Sequence, residues 1–70
     1  MPLPIAPVNR ELTVRSIGLD DKVKKHLMDL GITIGSKLTV LSSGGGGVIA
    51  AVKSGRLCLD KDVASKIMVA

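Results

Sequence analysis

Apolar and polar residues alternate along ELTVRSIG, residues 11–18, with Leu12 and Val14 on one face against Thr13 and Arg15. That period of two predicts a half-buried strand, ended by Gly18. The period then lengthens. In DDKVKKHLMDLG, Val23, Leu27 and Leu30 fall at i, i+4 and i+7, one apolar stripe of a helix. Asp20 or Asp21 is the expected N-terminal cap, and Gly31 stands where a left-handed stop belongs. The opposite face carries Lys22, Lys25, His26 and Asp29, the most charged surface in the chain. Alternation resumes after Gly35, with Leu38 and Val40 facing one way. VIAAVK reads as a third strand and RLCLD as a fourth, with Ser54-Gly55 as the turn between them. DKDVASKI predicts a short helix capped by Asp60, with Val63 and Ile67 facing in, and MVA a last strand. Residues 1–10 are expected to be extended, because Pro2, Pro4 and Pro7 deny backbone donors to a sheet. Asn9, which tolerates positive φ, turns that segment into the first strand. Short strands, glycine turns and no parallel crossover unit predict a mainly β fold, a small barrel of about five strands. One helix lies between the first two strands and a short one near the C-terminus.

Seventy residues make one small domain, residues 1–70. Such a core supplies only about 3–5 kcal/mol without staples. The single cysteine, Cys58, closes no intramolecular disulfide, and MPLPIAPVN has no apolar run of signal or membrane length. The expectation is a cytoplasmic protein without membrane insertion. A net charge of +4 suits an acidic partner surface, nucleic acid or an anionic membrane. The absence of Phe, Tyr and Trp argues against nucleic acid, since single-strand readers stack bases on aromatic rings.

SSGGGG, residues 42–47, raises the question of phosphate binding. GVIAAVKS at 47–54 meets the phosphate-loop template except that Val52 replaces its second glycine, and VIAAV is strand-like where a helix must begin. GGGVIA at 45–50 fits the dinucleotide pattern, but no helix of useful length precedes Gly55 and no acidic residue follows at the ribose-binding distance. The stretch is a glycine-rich hairpin connection. Four glycines nonetheless exceed what a two-residue turn needs, and the surplus costs folding entropy.

Catalysis has little to work with. Ser42, Ser43 and Cys58 are the available nucleophiles and His26 the one imidazole, with no third group to orient it. Cys58, between Leu57 and Leu59 in a strand, is expected to be a buried small hydrophobe rather than a nucleophile. An enzyme is not expected. The candidate metal ligands are His26, Cys58, Asp20, Asp21, Asp29, Asp60 and Asp62, without paired histidines or a CxxC. No resident cofactor is expected, and ferrous iron stays open as a ligand.

Together the pattern MPL…AP at residues 1–7, LMDLGITIGSKLTVL, VIAAVKSGRLCLD and the spacing of Ala64, Ile67 and Val69 resemble ferrous iron transport protein A, the FeoA family. The resemblance spans the chain, and Leu30-Gly31…Gly35 is its most specific piece. The same domain is similar to the C-terminal module of DtxR-type iron-dependent repressors. The resemblance implies an SH3-like barrel that acts with FeoB, a membrane ferrous iron transporter with a cytoplasmic G-protein region. It also implies a link to transition-metal binding, for which this chain shows no ligand cluster. Two departures stand out: Asn9 where relatives often have glycine, and a hairpin tip shorter than theirs.

Two surfaces are therefore the candidate partner-binding sites: the helix face Lys22, Lys25, His26 and Asp29, and the tip Gly44, Gly45, Gly46 and Gly47. The leading expectation is an accessory protein of ferrous iron uptake, monomeric or weakly oligomeric, that binds and modulates the transporter. The alternative is a metal-responsive regulatory module. A third, an adaptor on RNA, is favoured only by the charge.

Overall fold

The computed structural model describes all of residues 1–70. Strand β1 (Glu11–Ile17) is followed by helix α1 (Asp21–Asp29), then β2 (Lys37–Gly44), β3 (Gly47–Val52) and β4 (Gly55–Asp60). A short helix α2 (Lys61–Ser65) leads into β5 (Ile67–Val69). The strands form one antiparallel sheet in the order β4-β3-β2-β1-β5. The mainly β architecture and the placement of both helices agree with the pattern of the sequence.

Closure does not. β4 and β5 lie at opposite ends of the strand order and are not paired, so the sheet curls without closing into a barrel. The reason is local: α2 occupies the connection between them, and β5 is only three residues long. Two register shifts provide the curl, one between Val14 and Ser16 and one between Val40 and Ser42. The first also explains why Ile17 rather than Ser16 is buried, although strict alternation from Leu12 and Val14 would bury Ser16.

The N-terminal segment departs most from expectation. Residues 1–10 are not simply extended: Leu3–Ile5 form a 3-10 turn, with proline at its first positions, where a missing donor costs nothing. The Met1 amino group donates to the Val69 carbonyl at 2.8 Å, and the Val69 N–H donates to the Met1 carbonyl at 2.8 Å. The segment thus runs beside the outer edge of β5 and delivers Leu3, fully buried, to the core. Asn9 takes φ 60°, as its residue type allows, and its N–H bonds the Val40 carbonyl at 2.8 Å.

The core is aliphatic. All 15 buried residues are apolar, and no buried side-chain polar atom lacks a partner. In α2 the buried residue is Ala64, while Val63 is half-buried and Ile67 already belongs to β5. Asp60 caps α2 by accepting from Val63 N–H at 2.8 Å. The β3–β4 connection is Lys53-Ser54, one residue before the expected pair, because Gly55 at φ 137° is already paired with Val52.

Candidate functional site

Helix α1 begins at Asp20, whose carboxylate accepts from Val23 N–H at 2.9 Å. It ends in a Schellman motif: Gly31 N–H bonds the Met28 carbonyl at 3.0 Å and Ile32 N–H bonds the Leu27 carbonyl at 2.8 Å, with Gly31 at φ 103°. Leu27 and Ile32, the hydrophobic pair of that motif, are both buried. Ser54 Oγ donates to the Leu30 carbonyl at 3.0 Å and so ties the helix end to the β3–β4 turn. These contacts fix which side of α1 faces out. Lys22, Lys25, His26 and Asp29 are all exposed, as the stripe predicted.

The glycine tip is a tight hairpin. Gly44 pairs with Gly47, leaving Gly45 and Gly46 as the loop. Only one of the four glycines is demanded by the fold. A Cβ on Gly47 would press into the Leu59 carbonyl oxygen, and its φ is 154°. Around Gly44, Gly45 and Gly46 there is open space, and none of them takes a positive φ. Gly45→Ala and Gly46→Ala are therefore expected to leave the fold intact and to raise stability by about 0.4–1 kcal/mol through the unfolded chain. Urea denaturation followed by circular dichroism checks this; a drop of similar size would show that the tip needs glycine conformations after all.

The two candidate surfaces do not form one site. Ser54, which holds the helix end, follows the far end of β3, and Gly47 opens that strand, whose six residues span roughly 17 Å at ~3.3 Å per residue. The tip's neighbours are instead the N-terminal segment, where Ser43 Oγ donates to the Pro4 carbonyl at 2.8 Å, and the start of α2 at Asp60. Gly44, Gly46 and Gly47 share a shallow depression with Ile49 and Cys58. Cys58 is exposed there, not buried: Leu59 takes the inner face of β4, and Cys58, one residue earlier, sits opposite Ile49 on the outer face.

Pattern reading missed a third feature. Met28 lies off the apolar stripe and is 52 % exposed, while Ile34 is 63 % exposed although Ile32, two residues earlier, is fully buried. They border a groove beside α1 that Ile17 floors. Alternation through GITIG would put Ile32 and Ile34 on one face; the turn closed by Ser36 separates them.

No three His, Cys, Asp or Glu side chains come together as a metal-holding group. No helix is long and apolar enough to cross a membrane.

The comparisons with known proteins agree on one lineage. The profile of the FeoA domain matches residues 1–70. A curated relative from Methanocaldococcus jannaschii, named for Fe(2+) transport protein A, is 35% identical over 68 residues, covering 97% of this chain and 83% of the relative. The solution structure of the FeoA protein from Chlorobium tepidum superimposes with a TM-score of 0.86 at 27% identity, covering 99% of this chain and 68% of that one. A crystal structure described as an iron uptake regulatory protein (FeoA) gives the same TM-score and identity, over 99% of this chain and 93% of that one. The antiparallel sheet with a helix after its first strand is thus a shared fold, and this chain belongs to the FeoA domain family of ferrous iron transport.

Proposed function

We propose that this protein is a cytoplasmic accessory protein of ferrous iron uptake that binds a FeoB-type membrane transporter at its cytoplasmic G-protein region and modulates it. It acts by surface contact, not by chemistry of its own. The contact surfaces are the exposed face of α1 (Lys22, Lys25, His26 and Asp29) and the tip formed by Gly44, Gly45, Gly46 and Gly47. The observation that carries this reading is the glycine surplus. Three residues that cost folding entropy and satisfy no conformational or packing demand of the fold leave bare backbone open to another chain. Because the two surfaces lie at opposite ends of β3, a small partner domain engages one of them at a time, or wraps the β3 side to reach both.

The test is an amide NMR titration of the labelled protein with the transporter's G-protein domain. Shifts that include Lys22, Lys25, His26 and Asp29, or residues 44–47, are the expected result. An unchanged spectrum at high partner concentration would overturn binding to that domain.

A further inference from the structure

The groove beside α1 has an apolar floor and a basic rim. Ile17, Met28 and Ile34 supply the floor, and Asp21, Lys24 and Lys25 the rim, around a space of ≈ 340 Å³. Ile17 is 7% exposed and belongs to the core, so the floor is anchored; Met28 and Ile34 are each more than half exposed.

Ile34 is also held rigidly in that exposed position. Ser36 Oγ accepts from Thr33 N–H at 3.1 Å and donates to the Thr33 carbonyl at 2.7 Å, closing the turn from within. Gly35, at φ 90°, donates to the Val14 carbonyl at 2.8 Å, and Val14 N–H bonds the Ser36 carbonyl at 2.9 Å, pinning the turn to β1. An isoleucine fixed in water on a turn with no loose backbone has had its ordering cost met in advance, which favours tight contact with another surface. Met28 beside it is the adaptable neighbour such a contact needs.

The chemistry of the occupant follows from what the groove offers. The backbone of the turn bonds within the chain, and the sheet edge at β4 lies at the far end of the strand order. An extended segment would find no ladder to join, whereas a helix satisfies its own backbone and needs only side-chain pockets. The rim sets two ammonium groups against one carboxylate, and Asp20 is already engaged as the cap. A second copy of this chain would bring lysine against lysine. We infer that the groove of Ile17, Met28 and Ile34 binds an amphipathic helix of the partner, whose apolar stripe enters between Met28 and Ile34 and whose flanking Asp or Glu residues meet Lys24 and Lys25. The identification of the partner as the transporter rests on the reading above; the chemistry of the groove does not.

Two probes separate these. The first is a capped helical peptide with leucines at i, i+4 and i+7 and glutamates on the flanks, beside its counterpart with lysines in place of glutamates. The glutamate peptide is expected to shift the amides of Ile17, Met28 and Ile34, and Ile34→Asp to weaken it about tenfold, as loss of a central apolar anchor does. Lys24→Glu should favour the lysine peptide instead. Because Ile34 and Lys24 are not core residues, circular dichroism of both variants should match the parent. Equal binding of the two peptides, or binding unaffected by Ile34→Asp, overturns the groove. Preferential binding to phosphatidylglycerol vesicles, lost in Ile34→Asp, overturns it in favour of a membrane surface. The second probe is the transporter's G-protein domain. If it binds parent and Ile34→Asp alike and the glutamate peptide does not bind, the groove proposal fails and the transporter reading stands. If the peptide binds and the domain does not, the groove stands and the transporter reading fails.

Discussion

Gly47→Ala is expected to cost about 3 kcal/mol or more, since a methyl group must be forced into backbone that cannot move away cheaply. The Cβ would meet the Leu59 carbonyl oxygen, with the Leu59 carbonyl carbon and the Asp60 Cα both at 3.2 Å. Those atoms are not a flexible side-chain end. They are the last residues of β4, and Asp60 goes on to cap α2 through Val63 N–H. Moving them breaks the Gly47–Asp60 pairing and disturbs the cap together. The φ of 154° adds a conformation that an L side chain adopts rarely. For a domain with only about 3–5 kcal/mol to spend, such a loss leaves much of the chain unfolded. Far-UV circular dichroism in urea is the measurement, because a chain without Trp or Tyr has almost no intrinsic fluorescence. Gly46→Ala, one residue away and in open space, is the internal control. A midpoint for Gly47→Ala equal to that of the control would show that the close approach of β3 to the end of β4 is wrong.

The second large effect is at the other end of the chain. Leu3→Ala should destabilise by about 2–5 kcal/mol, the range for emptying a fully buried leucine site. Ile5→Ala, two positions on, should change stability by less than about 0.5 kcal/mol, because that side chain is 73% exposed. The contrast is what discriminates. A loose proline-rich tail predicts two neutral substitutions; a buried 3-10 turn predicts one severe and one silent. Thermal melts of both variants decide between them.

That segment also marks where the sequence stops being readable. Strand and helix periods are local, so Leu12 and Val14, Leu38 and Val40, and the stripe Val23, Leu27 and Leu30 announce their elements and their inner faces. Caps are local too, which is why Asp20, Asp60 and Gly31 were legible. Whether Leu3 fills a cavity depends on residues far along the chain, and three prolines disguise the segment as spacer. Closure of the sheet failed for the same reason. Strand number follows from alternation, but whether β5 reaches β4 depends on its length and on α2 between them. Ile17 could have been found from the step of three after Val14, the trace of a bulge. Of the candidate site, the outward face of α1 was legible because it is the complement of the stripe. The groove was not, because Ile32 and Ile34 are chemically identical and only the turn closed by Ser36 decides which one faces out.

The strand of backbone laid along β5 has a last consequence, for self-association. An open sheet exposes unpaired edges, and an unpaired edge is a template on which a second chain can add and aggregate. On this side the outermost backbone is Met1 and Pro2, which bond Val69 and bridge to Met68 before the chain leaves the edge in the 3-10 turn at Leu3. Proline has no N–H, so an incoming strand finds no donor at Pro2. The sheet is left open as a barrel, yet its β5 edge is already covered by this short stretch and presents fewer free donors to an added strand.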